Sequence, residues 1–121
     1  MKSQKINKIL KKKEFYEKLI KINPNFLEVL FHLVHIHTSL KNYKNVLKYD
    51  KKIAKLLNFD PISYYNLACD YSNLGDIENS LKNLKIAILL GFKNTGYIKR
   101  DKDLKFLRKN ISFKKIEKLL K

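Results

Sequence analysis

The sequence predicts an all-α protein built from antiparallel pairs of helices. Its 121 residues include only three Gly and two Pro, fewer than a loop-rich or all-β chain carries. Apolar residues recur at intervals of three and four along the chain, which is the helical period, and no strand-like alternation persists. Hydrophobic residues make up 45% and charged residues 31%, so we expect one folded domain with a core of modest size.

Turn and cap signals divide the chain into helices of ordinary length. The expected helices span residues 3–22, 26–40, 43–57, 61–74 and 77–90. Asn25 is followed three residues later by Glu28, which resembles a capping box for the second helix. Asp60 with Pro61 predicts the start of the fourth helix, and Asp76 predicts the start of the fifth.

The tail beyond Gly91 is expected to be less regular. Gly91 predicts the end of the fifth helix, and the following stretch FKNTGYIKR is expected to be a loop. Asp101 predicts the cap of a short helix that contains Leu104, Phe106 and Leu107. A last helix is expected to begin near Phe113.

Two turns of the chain match each other at a spacing of 34 residues. The same type of turn is predicted at LKNY, residues 40–43, and at LGDI, residues 74–77. A shift of 34 residues also pairs Leu33 with Leu67. This period, and the pattern of large and small side chains in residues 61–94, resemble those of the tetratricopeptide repeat. The matching positions are Tyr64, Leu67, Ala68, Tyr71, Leu74, Gly75, Asp76, Ser80, Leu84 and Ala87.

The resemblance implies a short α-solenoid of about two to two and a half repeats with flanking terminal helices. Residues 1–26 would form a half-repeat, 27–60 a degenerate repeat, 61–94 a well-matched repeat and 95–121 a capping segment. The tail YIKRDKDLKFLRKNISFKKI resembles the segment that closes many bacterial arrays, through the positions Asp101, Asp103, Leu104, Leu107, Arg108 and Phe113.

In the family, the first helices of successive repeats line a concave groove that binds peptides. The resemblance places ten residues of this chain at the inward positions: Glu28, Phe31, His32, His35, Thr38, Tyr65, Asn66, Cys69, Ser72 and Asn73. Phe31 and Tyr65 are expected to anchor a partner protein or peptide through buried area. The alternative is that these residues pack against the first helix or the tail. Asn66 fits the family's carboxylate clamp for chaperone peptides, but Phe31 and His35 depart from it.

The formal net charge of +16 suggests an acidic partner, a nucleic acid or an anionic surface. Only Arg100 and Arg108 are arginines, whereas bidentate recognition of bases and phosphates favours Arg. The Lys excess is also what an AT-rich genome would encode. The alternative function is therefore a basic nucleic-acid or anionic-surface binding protein. For the Lys-rich first helix, packing is favoured over a membrane-surface role. The exposed ends of the repeat allow a homodimer.

No constellation of residues predicts catalysis or a bound cofactor. His32, His35 and His37 are close in sequence, but His37 lies about 200° from His35 around a helix, which opposes a shared metal site. Cys69 would need a His base and an orienting group to act as a nucleophile. Phosphate loops and nucleophile elbows are absent from the sequence. We expect a non-enzymatic protein without a cofactor or a metal.

Localisation is predicted from what the sequence lacks. Cys69 is the single cysteine, so an internal disulfide is not possible. The basic N-terminal stretch has no apolar run of the ~7–15 residues found in signal peptides, and no window approaches the ~20 apolar residues of a membrane span. These features indicate a cytoplasmic protein.

Overall fold

The computed structural model describes residues 2–120 and confirms the all-α prediction, since every regular element in that range is a helix. The elements are α1 Lys2–Ile22, α2 Leu27–Ser39, α3 Tyr43–Leu56, α4 Pro61–Asn73, α5 Ile77–Leu89, α6 Thr95–Arg100, a 3₁₀ turn Lys102–Leu104, α7 Lys105–Arg108 and α8 Phe113–Lys118. Between residues 2 and 120, no helix combines the length and apolar character that crossing a bilayer requires.

The chain divides into two compact units between Leu56 and Leu57. The first unit contains α1, α2 and α3, with α2 packed against both of the others. The second unit contains the remaining helices, with α4 and α5 as its main pair. Each unit has its own buried residues, so each can be described by itself.

The first unit is built around the apolar side of α2. Leu30 and Leu33 are fully buried, and the buried His37 stacks on Tyr49 of α3 at 5.6 Å between ring centroids. The His37 Nε2 atom also lies 3.3 Å from a carboxylate oxygen of Glu17 in α1. His37 therefore occupies a core position that links the three helices of this unit.

The capping box predicted at Asn25 is wrong. The residue before α2 is Phe26, whose side chain makes no capping hydrogen bond, and the Asn25 backbone N–H donates to Asn23 Oδ1 at 3.2 Å. Asn25 is used in the turn that follows α1, so it does not reach the first turn of α2. The helix depends on its buried apolar side for stability, as most helices in globular proteins do.

The second unit begins with two helices whose N-termini are capped as predicted. Asp60 accepts from Ser63 N at 3.1 Å, and Asp76 accepts from Asn79 N at 3.1 Å. The turn between α4 and α5 contains Gly75 at φ +80°, a conformation that glycine adopts without strain.

The small residues of the repeat pattern lie where α4 and α5 approach closely. Ser80 and Ala68 are both fully buried, and the Ser80 hydroxyl donates to the Ala68 carbonyl at 2.6 Å. Leu84 and Ala87 of the same pattern are also fully buried. These contacts show why the pattern needs small residues at two places, because larger side chains would separate the helices.

The segment after α5 is more ordered than the sequence predicted. The stretch expected as a loop contains α6, whose first turn is capped by Asn94 through a 3.0 Å hydrogen bond from Tyr97 N. Ile98 of this helix is fully buried in the second unit. The prediction of a loop was wrong because a six-residue helix containing Gly96 has too short a periodic pattern to identify.

The tail packs over α4 and α5. Leu104 and Leu107 are fully buried, and Asp101 caps the 3₁₀ turn by accepting from Asp103 N at 2.9 Å. Arg108 holds the segment together by donating to two backbone carbonyls, those of Ile98 at 3.0 Å and Asp101 at 2.6 Å. The tail is therefore an integral part of the core of this unit.

Candidate partner-binding surface

One side of α2 presents all five of the groove positions that the sequence assigned to the first repeat. They lie on one face of the helix, as their spacing of three and four requires, and all are exposed: Glu28, Phe31, His32, His35 and Thr38. We call this set the α2 face. Phe31 is its main apolar feature, with 48% of its side chain accessible.

Local contacts hold part of the α2 face in place. The His32 ring stacks on the Tyr16 ring of α1 at 4.8 Å and an interplanar angle of 4°. The Thr38 hydroxyl donates to the Val34 carbonyl one turn earlier, at 2.7 Å. His35 lies between these two positions along the helix, and Phe31 directly precedes His32. The α2 face is thus an aromatic and imidazole surface on a regular helix.

The groove positions that the sequence assigned to α4 have a different environment. Tyr65, Cys69 and Ser72 are buried, Asn73 is half-buried, and of the five positions on this helix only Asn66 is exposed. We call this set the α4 face. Tyr65 has only 4% of its side chain accessible, although its aromatic ring was expected to anchor a partner.

The chain's own tail covers the α4 face. The Tyr65 ring stacks on Phe92 at 4.2 Å and meets Tyr97 at 5.7 Å. Its hydroxyl donates to Asp101 Oδ2 at 2.5 Å. A carboxylate and two aromatic rings of the tail thus occupy the place beside Tyr65.

Two further hydrogen bonds extend this contact along α4. The Cys69 thiol donates to the same Asp101 oxygen, with a sulfur–oxygen distance of 3.7 Å. One turn further on, Asn73 Nδ2 donates to Asp103 Oδ1 at 3.3 Å. Asp101 and Asp103 of the tail therefore bond to the α4 face, a contact that no pattern in the sequence predicts.

The electrostatics of the α4 face favour neutral side chains. Burial raises the pKa of the Cys69 thiol, and the nearby carboxylates of Asp101 and Asp103 raise it further. Burial also raises the pKa of Tyr65, assisted by its hydrogen bond to Asp101. The thiol therefore stays protonated at neutral pH, and a protonated thiol is a poor nucleophile.

Two groups of side chains contain atoms that could bind a metal ion. Among residues 2–120, the ligand atoms of Cys69, Asp101 and Asp103 lie within 4.8 Å of one another. Both aspartates accept hydrogen bonds from α4, and the thiol is a donor in this network, so the cluster serves the contact between α4 and the tail. The three histidines of α2 are divided, with His37 buried and both His32 and His35 exposed.

The helix pair α4 and α5, which includes the α4 face, resembles a known protein family. Residues 62–90 match the family model of the tetratricopeptide repeat. No curated protein matches the chain. A repeat of this type indicates a role in protein–protein interaction in general. The match agrees with the packing of Ser80, Leu84 and Ala87, and the chain thus carries a tetratricopeptide repeat at residues 62–90 within an all-helical fold.

Proposed function

We propose that this protein is a non-enzymatic interaction module that binds a segment of a partner protein on the α2 face. The observation that carries the proposal is the exposure of all five groove positions on α2, including the aromatic ring of Phe31. Aromatic side chains with flanking polar groups are typical anchors of protein interfaces. On the α4 face, only Asn66 offers a comparably open position.

The covered α4 face supports a choice of partner chemistry. The 34-residue register pairs Phe31 with Tyr65 and His35 with Cys69. At the α4 positions, the chain's own tail supplies aromatic rings against Tyr65 and a carboxylate against Cys69. A partner segment with an aromatic or aliphatic side chain followed by acidic residues would suit the α2 face in the same way. The net charge of +16 favours such an acidic segment.

The environment of the reactive residues supports a binding role over catalysis. The Cys69 thiol is buried, hydrogen-bonded to Asp101 and has a raised pKa. His37 is buried against Tyr49 within the first unit, and burial lowers its pKa. Each of these side chains has a packing role, and neither lines an open cleft with a second catalytic group among the described residues.

The test is affinity purification from the native cell with the wild-type chain and with the double variant Phe31→Ala/His35→Ala. The variant should remain folded because both side chains are exposed, and it should lose the captured protein. The matched control is Phe106→Ala, which removes a 65% exposed aromatic side chain from the second unit. Loss of the captured protein in both the double variant and Phe106→Ala, or its retention in both, would contradict a site on the α2 face. A captured protein counts only if a peptide from it binds the purified chain and not the double variant.

The alternative function, nucleic-acid or anionic-surface binding, is favoured by the beginning of α1. Residues 2–12 read KSQKINKILKK, with five Lys and no acidic residue, and every Lys among them is exposed. Binding through these side chains predicts a steep loss of affinity with salt. A fluorescent oligonucleotide titrated between 50 and 200 mM salt, roughly the range that separates such contacts, measures this dependence. Retained binding at physiological salt would support the alternative over the α2 face.

Self-association through the same end of α1 is opposed by charge. Two copies meeting there would bring two Lys-rich segments together, and like charges repel. Sedimentation at low and high salt measures whether the chain dimerises. A dimer through this end would form more readily at high salt, because salt screens the repulsion between the Lys side chains.

A further inference from the structure

The first unit contains an apolar cavity that lies apart from the α2 face. Its volume is about 240 Å³. It lies where the end of α1, the beginning of α2 and the middle of α3 meet. The lining residues are Ile20, Pro24, Leu30, Lys48, Tyr49 and Lys52.

The two units differ in side-chain size at one position that lines the cavity. The 34-residue register places Leu30 at the position that Tyr64 occupies in the second unit. A leucine has fewer atoms than a tyrosine, so the ring that would extend from this position is missing in the first unit. Buried Tyr49 also lines the cavity, and its stacking on His37 restricts its movement into the space.

Two cations stand at the rim of the cavity. Lys48 and Lys52 are one helical turn apart on α3, so their side chains lie on the same side of the helix. Neither forms an ion pair with a carboxylate among the residues that the structure describes. The Lys48 ammonium lies 5.5 Å from the centroid of the Tyr49 ring. The site thus combines an apolar interior with two positive charges at its opening.

We propose that this cavity binds a small amphiphilic carboxylate, with its apolar part inside and its carboxylate between Lys48 and Lys52. A water molecule occupies ~30 Å³ in the liquid. The cavity volume therefore corresponds to about eight heavy atoms. Apolar lining with a few polar groups at the edge is typical of small-molecule sites. For a ligand of this size in an open cavity, we expect a Kd on the order of 1 mM.

Octanoate is a suitable probe, titrated into the isotope-labelled full chain and followed by its backbone amide signals. Saturable shifts are expected at Leu30, Tyr49 and Lys52, with little change at Phe31. Octylammonium has the same chain and the opposite charge, and acetate has the charge without the chain. Both should bind at least about tenfold more weakly, because each lacks one of the two interactions. No shifts with octanoate, or equal affinity for octylammonium, would overturn the proposal.

Two variants separate the cavity from the surface charge. Leu30→Phe fills the cavity with a ring like that of Tyr64, and it should reduce octanoate binding about tenfold or more while the amide spectrum stays folded. Lys48→Gln/Lys52→Gln changes only the rim and should weaken binding about tenfold. Its matched control is Lys44→Gln/Lys55→Gln on the same helix, which should leave binding unchanged. An equal loss of octanoate affinity in the two double Lys variants would overturn the proposed position of the carboxylate.

A peptide C-terminus presents the same chemistry as a free acid. A short peptide ending in leucine with a free carboxylate distinguishes the two sources. The proposal predicts that it binds no better than octanoate, because the cavity has room for little more than one side chain. Binding of the peptide at least ten times tighter would assign the cavity to a protein partner and overturn the small-molecule assignment.

Discussion

The α2 and α4 faces occupy the same positions of two successive helix pairs, yet they have opposite environments. Phe31 on α2 is 48% accessible, whereas Tyr65, 34 residues later, is 4% accessible. The difference arises from the tail, which places Phe92, Tyr97 and Asp101 against Tyr65. Some positions that are equivalent in the 34-residue register are therefore exposed in the first unit and buried under the tail in the second.

The comparison also shows what the end of a helical repeat requires. A stack of helix pairs leaves one apolar side uncovered at each end, and terminal segments cover it. In the second unit, Ile98, Leu104 and Leu107 of the tail are all fully buried. In the first unit, α1 has no buried residue between Lys2 and Ile22. Within its own unit, the tail thus buries apolar side chains fully, whereas α1 does not.

The largest expected effect comes from removing an apolar side chain of the tail. Leu107→Ala should lower the free energy of unfolding of the second unit by about 2–5 kcal/mol, because it leaves a cavity at a fully buried position. Urea unfolding followed through the amide signals of α5 measures this change. Phe106→Ala is the matched control at the next residue, which is 65% exposed, and should change stability by no more than about 0.5 kcal/mol. Similar costs for both variants would contradict the tail packing.

A smaller effect is expected for the hydrogen bond between the tail and the α4 face. Tyr65→Phe keeps the ring on Phe92 and removes the hydroxyl that donates to Asp101, so a loss of about 1 kcal/mol in unfolding free energy is expected. Cys69 should also react faster with a thiol reagent, since the cover over it is weakened. Tyr97→Phe, at a 52% exposed ring of the same tail, should change neither quantity. Unchanged stability in Tyr65→Phe would exclude a contribution from this hydrogen bond.

The first unit should respond to pH through His37. Burial lowers the pKa of His37 below its ordinary value of about 6.5, although Glu17 partly opposes this shift. Below pH ~6.5 the unfolded chain therefore binds a proton that the folded chain does not, so the unit loses stability as pH falls through the lowered pKa. Unfolding between pH 7 and 5, followed through the amides of α2, should show this loss.

The variant His37→Gln should flatten this dependence on pH, because glutamine does not titrate. A His35→Gln variant, which removes an exposed histidine of the same helix, should keep the wild-type slope. A rise in stability between pH 7 and 5 in the wild type would contradict the assignment, since it would require a raised pKa for His37.

Much of the fold could be predicted because local signals and the helical period agree. Asp60 and Asp76 cap their helices through the expected third residue, and Ser80 lies at the close approach of α4 and α5. The Asn25 cap was wrong because the Asn25 backbone N–H is held in the turn after α1 by the Asn23 side chain, and α2 begins at Leu27. The helix α6 was missed since six residues carry little periodic information.

The candidate site could be predicted only in part, for a physical reason. Helical spacing predicts which side chains share a face of a helix, and the five positions of the α2 face are all exposed together. It does not state what covers a face. The bonds from Tyr65 and Cys69 to Asp101 span more than thirty residues, and no periodic pattern connects positions so far apart. The alternative that the sequence left open, packing against the tail, describes Tyr65 and Cys69.

The most direct test of the difference between the two faces compares Phe31→Ala with Tyr65→Ala. Each removes one aromatic ring from the same position of a repeat, and each is measured by urea unfolding through the amides of its own unit. Tyr65→Ala should cost about 3–5 kcal/mol, as a buried ring does, and Phe31→Ala no more than about 0.5 kcal/mol. Equal costs for the two substitutions would contradict the account of one covered face and one open face.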